Sequence, residues 1–254
     1  MARTVVITGA ASGIGKATAE RMRARGDRVI GVDLRDADIV ADLATPDGRS
    51  EMVRGVQAVA PEGIDAIVAA AGVAAIDDPA LTIAVNFFGA VATLDGLRPL
   101  LRNSLRPRAV AVLSTAALMD ADATLVEACL SGDESAALDR ARAAHGNAYM
   151  ASKRALSLWL RAAATKPEWA GAGISLNGVA PGTVVTPMTA PLLATDEGRA
   201  ILAQATPIVV QNYAHPEEIA EVLSFLANVE SGYILGQTVF VDGGTDALWR
   251  PTTF

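Results

Sequence analysis

Tyr149 and Lys153 are the two side chains whose types and spacing say most about chemistry. They stand four residues apart in Ala148-Tyr149-Met150-Ala151-Ser152-Lys153-Arg154-Ala155, so on a helix they share a face. A phenol with an ordinary pKa of about 10 is a poor proton shuttle at neutral pH, and a neighbouring ammonium favours the phenolate and lowers that value. Such a pair can protonate a carbonyl in one direction and take a hydroxyl proton in the other. Lysine is scarce: of 21 basic residues only Lys16, Lys153 and Lys166 are Lys, so one kept at this spacing is informative. A surface Tyr and Lys on one helix face would give the same pattern, which makes the rest of the chain the arbiter.

A second cluster supplies what a proton shuttle alone lacks. Thr8-Gly9-Ala10-Ala11-Ser12-Gly13-Ile14-Gly15 follows the apolar run Val5-Val6-Ile7. Gly9, Gly13 and Gly15 permit a tight turn, and the N–H groups around Ser12, Gly13 and Ile14 would open a helix whose dipole attracts a pyrophosphate. The spacing is G-x-x-x-G-x-G rather than G-x-G-x-x-G, and a glycine turn without a ligand is the bland alternative. Asp33 ends the next apolar run, 18 residues after Gly15. A carboxylate there accepts hydrogen bonds from a ribose diol and repels a 2′-phosphate, which predicts NAD rather than NADP, with Arg35 a partial offset. The alternative for Asp33 is an exposed turn residue.

Elements that could position these groups are legible along the chain. Strands are predicted at 5–7, 28–32, 66–70, 109–113, 174–179 and 238–242, and helices at 13–25, 81–101, 149–164 and 216–227. The last helix opens Pro216-Glu217-Glu218, with acidic residues suited to a helix N-terminus. Short apolar strands alternating with helices predict an α/β, Rossmann-type, doubly wound parallel sheet in a single domain spanning all 254 residues.

The Tyr149–Lys153 spacing and the Gly9–Gly15 run together resemble the short-chain dehydrogenase/reductase family, over nearly the whole chain. The resemblance implies that Lys153 also holds the nicotinamide ribose, and that a hydroxyl after the 109–113 strand holds the substrate oxygen. Carried over position by position, that role falls on Thr115, where the family usually has Ser. Strand pleating lets only one of two neighbours face the site, so Ser114 stays open beside Thr115. Asn86 matches the asparagine that bends a helix and relays protons toward the lysine, or it is a satisfied core polar group. Asp42 and Leu43 match the segment flanking the adenine. Ala71 and Gly72 keep the cofactor-side turn, although the two asparagines that usually precede them are Ala69 and Ala70 here. Pro181, Gly182, Val184 and Thr186 match the loop over the nicotinamide. Residues 188–210 would form a mobile lid whose Met, Leu, Ile and Pro suit an apolar substrate, or simply a packed helical excursion.

Thr115 precedes Tyr149 by 34 residues, far more than in most of the family. The extra segment, about 118–147, has helical patterns at 125–130 and 136–144. With the 33–37 and 41–43 stretches and the C-terminal run, it resembles the bacterial 3α-hydroxysteroid dehydrogenase/carbonyl reductase branch. That implies a 3α-hydroxysteroid or another apolar alcohol or ketone as substrate, and a homodimer.

Composition narrows the alternatives. Hydrophobic residues make up 51% and aromatics 4%, so the core is aliphatic. A net charge of −7 argues against a nucleic-acid partner. One cysteine, Cys129, excludes an internal disulfide and a Cys-rich metal site, and no metal is expected; the reading is a reducing cytoplasm. No apolar stretch is read as reaching the roughly 20 residues that span a bilayer, and the start Met1-Ala2-Arg3-Thr4 is read as leaving no signal peptide. His145 and His215 are assigned surface roles, and Trp159 packing. Two competing classes remain. A catalytically silent dinucleotide binder would not need Tyr149, and a nucleotide-sugar epimerase or dehydratase would carry a larger C-terminal region.

Overall fold

A computed structural model describes residues 2–143 and 148–253. Seven parallel strands form one sheet in the order β3-β2-β1-β4-β5-β6-β7. They are β1 (Thr4–Thr8), β2 (Arg28–Asp33), β3 (Ile39–Val40), β4 (Ala66–Ala69), β5 (Arg108–Val112), β6 (Ser175–Pro181) and β7 (Thr238–Val241). The chain winds outward from β1 in one direction and from β4 in the other, so the order reverses between them. In sheets of this kind ligands bind beyond the C-terminal strand ends at that point.

Pleating sorts each strand between two cores. On β1, Val6 faces one core while Val5 and Ile7 face the other; on β5, Ala109 and Ala111 oppose Val110 and Val112. Burial on both faces explains why these strands read as unbroken apolar runs. One face is covered by α1 (Gly13–Ala24) and α10 (Pro216–Asn228), through Ala19, Met22, Ile219 and Leu223. The other carries α2 (Pro46–Val59), α4 (Ala90–Leu97) and α7 (Ala148–Ala164), through Met52, Val56, Leu94, Ala155 and Leu156.

The predicted 81–101 helix runs from Pro79 to Asn103, started by the Asp78 carboxylate, which accepts from Leu81 N–H at 3.0 Å. It comprises α3 (Pro79–Ile83), a π-helical turn Ala84–Gly89, α4 and a 3-10 turn Arg98–Asn103. Here one expectation needs correction. By length and composition this segment is apolar enough to cross a bilayer. Most of it is buried inside the protein, so its apolarity serves the core.

The long insertion forms α5 (Ala123–Ser131) and α6 (Glu134–Ala143). Asp122 caps α5 by accepting from Thr124 and Leu125 N–H, and Gly132, at φ +78°, ends it. Leu125, Cys129, Ala137 and Ala141 are fully buried, so the pair is part of the core rather than a solvent-exposed hairpin. Ala144, His145 and Asn147, at the end of the insertion, lie outside the described residues. His215 is exposed just before α10, and Trp159 meets Trp169 edge to face at 6.4 Å. The 188–210 segment contains α8 (Ala190–Leu193) and α9 (Asp196–Ala205). Its far end is tied down: Val209 N–H donates to Gly243 O, and Thr245 Oγ1, on α11 (Thr245–Trp249), donates to Pro207 O, both at 2.9 Å.

Candidate active site

Loops at the C-terminal ends of β1, β2, β4, β5 and β6 enclose a cleft of about 600 Å³. Gly9, Ser12, Gly13, Ile14, Asp33, Asp42, Leu43, Ala71, Gly72, Ser114, Tyr149, Lys153, Pro181, Gly182, Val184 and Thr186 all line it. Two residues of the expected set do not. Thr115 and Asn86 are fully buried beneath the cleft wall.

Backbone geometry explains the glycines. Gly9 has φ +71°, and a β-carbon there would lie 2.9 Å from the Ala71 backbone. One at Gly15 would lie 2.1 Å from Gly9 O, so the loop closes only without side chains at these positions. Ser12 begins α1 in an extended conformation, and its side chain makes no capping hydrogen bond. The first N–H groups of α1 are therefore left to a ligand in the cleft, which fits an anion such as a pyrophosphate. The Asp33 carboxylate stands at the β2 edge, accepting from Ala11 N–H at 2.9 Å and Leu34 N–H at 2.7 Å. Thr8 braces the turn after β4: its Oγ1 accepts from Ala70 N–H at 3.1 Å and Ala71 N–H at 3.2 Å. Sequence reading missed this; the signal was a hydroxyl at the end of the central strand.

The proton-handling groups converge on one wall. Lys153 Nζ lies 5.9 Å from the centroid of the Tyr149 ring and donates to Val112 O at 3.0 Å. Burial pulls the Lys153 ammonium down to about 8. Burial also raises the Tyr149 phenol above its ordinary value, and the group that opposes this is the Ser114 hydroxyl, not the ammonium. The expectation that Lys153 lowers the phenol is thus not met, because burial dominates.

The preference for Thr115 over Ser114 also needs correction. β5 ends at Val112, and Ser114, still extended at φ −169°, opens a 3-10 turn from Thr115 to Leu118. Ser114 keeps the cleft side with Val112, and its Oγ accepts from Ala116 N–H at 3.1 Å. The Thr115 hydroxyl turns down to donate to Pro181 O at 3.3 Å, tying β5 to β6.

Asn86 lies in the π-helical turn, where its amide pairs with both backbone groups of Val73, at 2.8 and 2.9 Å, and donates to Ser152 Oγ at 3.2 Å. Ser152 Oγ in turn donates to Tyr149 O at 2.7 Å. Asn86 therefore joins the turn after β4 to the helix bearing Tyr149. A β-carbon at Gly72 would lie 3.3 Å from Asn86 Oδ1, a tight approach, so Gly72 leaves the Asn86 amide its place beside Lys153 Nζ. Beyond Tyr149 the wall is apolar, with Val73, Ala74, Ala75, Leu81 and Val85; of the 188–210 segment, only Met188 and Thr189 reach the cleft.

Known proteins resemble this chain in sequence and fold. A family model described as enoyl-(acyl carrier protein) reductase matches residues 9–246. The chain is 35% identical to the 3-alpha-hydroxysteroid dehydrogenase/carbonyl reductase of Comamonas testosteroni, over 98% of this chain and 99% of that one. It is 31% identical to the cis-4-hydroxycyclohexanecarboxylate dehydrogenase of Sinomonas cyclohexanicum, covering 97% of each. A crystal structure of the 3-alpha-hydroxysteroid dehydrogenase from Pseudomonas sp. B-0831 complexed with NADH superposes with a TM-score of 0.90 at 40% identity, over 99% of this chain and 100% of that one. The chain belongs to the short-chain dehydrogenase/reductase family. It is an oxidoreductase that acts on CH–OH groups with a dinucleotide cofactor.

Proposed function

We propose that the protein interconverts an apolar secondary alcohol and its ketone using NAD, with a 3α-hydroxysteroid as the leading substrate. The observation that carries this reading is the convergence of Ser114, Tyr149 and Lys153 beside a wall of small apolar side chains. Among the described residues lining the cleft, Lys153 is the only cation, and it stands beside Tyr149 rather than on the apolar wall. The hydroxysteroid relatives support a fused-ring substrate; the cyclohexanecarboxylate relative favours, as a second reading, a single alicyclic ring.

In this account Tyr149 accepts the hydroxyl proton during oxidation and returns it during reduction, while Ser114 donates a hydrogen bond that fixes the substrate oxygen. Lys153, held by Val112 O, would use its remaining N–H donors to hold the nicotinamide ribose, and its charge, when present, would offset part of the burial that raises the Tyr149 phenol. Asn86 and Ser152 set the position of the catalytic helix. The bound nicotinamide supplies the hydride acceptor or donor. The α1 N-terminus would hold the pyrophosphate, Asp33 the adenosine ribose diol, Asp42, Leu43 and Ala71 the adenine side, and Gly182, Val184 and Thr186 the nicotinamide side. The 188–210 segment closes the substrate end through Met188. Because the insertion packs beside α7, it changes the surface next to the catalytic helix, which supports a homodimer.

A panel of apolar secondary alcohols tested with NAD and NADP reads out this function. Reduced nicotinamide should appear fastest with NAD and a 3α-hydroxysteroid, and Asp33→Ala should narrow the NAD/NADP ratio by about tenfold, the effect of losing a charged hydrogen-bond partner. Turnover of no secondary alcohol would reject the activity. An unchanged ratio would place cofactor choice elsewhere.

A further inference from the structure

The insertion reaches the cofactor cleft through a partly buried ion pair. Arg49, on α2, is 8% exposed and uses its guanidinium in two directions. Toward the cleft, Nε donates to Leu43 O at 2.8 Å and Nη2 to Ala44 O at 3.0 Å. Toward the insertion, Nη1 donates to Glu134 Oε2 at 2.7 Å while Nη2 meets Oε1, a two-pronged contact with the first residue of α6. Its Cζ also lies 5.8 Å from the centroid of Phe88, in the π-helical turn that holds Asn86. A β-carbon at Gly89 would come within 3.1 Å of Leu43, so this turn presses against the same segment.

The carbonyls Arg49 grips belong to the backbone that presents Asp42 and Leu43 to the cleft. A long side chain fixed at both ends transmits the placement of one end to the other. An exposed surface ion pair would contribute little, but this two-pronged Arg–carboxylate contact, with side chains only 10% and 25% exposed, is shielded and geometrically demanding, and removing Glu134 leaves the buried guanidinium without its counter-charge.

We infer that Arg49, braced by Glu134, is a positioning residue that presets the adenine-side wall, so the insertion acts on cofactor affinity across the molecule. This rests on the reading of the cleft as a dinucleotide site. Without Glu134 the guanidinium is free to leave the Leu43 and Ala44 carbonyls, and the wall loses its preset form. Arg49 touches neither substrate nor the reacting atoms, so its influence falls on binding rather than on chemistry.

The test is Glu134→Ala, with Glu134→Asp as the conservative variant, read by fluorescence titration with NADH, AMP and nicotinamide mononucleotide, by steady-state kinetics, and by thermal melting. The expected result for Glu134→Ala is a rise of about tenfold in Kd for NADH and AMP alike. Nicotinamide mononucleotide binding and kcat at saturating NAD stay at parental levels, the KM for NAD rises, and Glu134→Asp recovers part of the loss. NADH and AMP affinities equal to the parent's, or losses shared equally by nicotinamide mononucleotide, would overturn the inference, whatever the change in melting temperature. Failure of the unmodified protein to bind NADH would instead reject the dinucleotide reading itself.

Discussion

Tyr149→Phe is expected to lower kcat by about 10²- to 10⁴-fold, the usual contribution of a positioned proton donor, while NADH affinity stays near the parent's. The substitution removes one oxygen and keeps the ring, so the contact with Lys153, 5.9 Å from the ring centroid, survives. The hydroxyl has no structural partner whose loss would unfold the site: the neighbour that bears on it is Ser114, itself a cleft residue. Rapid-mixing kinetics with NAD and the best alcohol, beside a fluorescence titration with NADH, separate the two effects. Turnover within a fewfold of the parent would remove Tyr149 from the proton-transfer step.

Ser114 and Thr115 make a sharper contrast, because adjacent hydroxyls are assigned opposite work. Ser114→Ala should reduce kcat by about 10²- to 10³-fold, as loss of an oxyanion-type donor does, beside a cost of about 1 kcal/mol for the Ala116 N–H it leaves unpaired. Thr115→Ala should spare kcat. It deletes a buried hydroxyl that ties β5 to Pro181, so it should destabilise by about 1–3 kcal/mol while leaving kcat within a fewfold. Paired measurements of kcat and thermal stability check both. Equal kinetic losses would mean that the geometry of the 3-10 turn is not what sorts the two hydroxyls.

That contrast also marks where the sequence stopped being readable. The pleating rule says that one of two neighbouring strand residues faces the site, but not which. The answer depends on β5 ending at Val112 and on the turn that follows, and neither leaves a clear mark in Ser114-Thr115-Ala116. Strands β1, β2, β4, β5 and β6 were legible because burial on both faces makes them unbroken aliphatic runs. β3 spans only Ile39 and Val40, too short for a pattern. Helix α2 escaped because Gly48 and Gly55 interrupt it; its signals were the Thr45 cap, whose side chain accepts from Gly48 N–H, Pro46 at the first turn, and Met52 and Val56 four residues apart.

The cofactor loop was legible for the opposite reason. Glycines at 9, 13 and 15 answer to local steric demands, and those demands are written one residue at a time. Long-range consequences were not. The depression of Lys153 to about 8 comes from burial that no local spacing reveals. The Arg49–Glu134 contact joins residues 85 apart in sequence, and the amide of Asn86 is satisfied by Val73. Sequence spacing placed Tyr149 and Lys153 on one helix face; only the packed protein shows that the face is turned toward the glycine loop.

A crystal structure of the NADH complex addresses that convergence without an intermediary. The account predicts the nicotinamide ring in the cleft between Gly182 and Tyr149, its ribose within hydrogen-bonding reach of Lys153 Nζ, and the Tyr149 and Ser114 hydroxyls turned toward the same face of the ring. A dinucleotide bound with its nicotinamide outside the cleft, or with the Tyr149 hydroxyl pointing to solvent away from the ring, would contradict it.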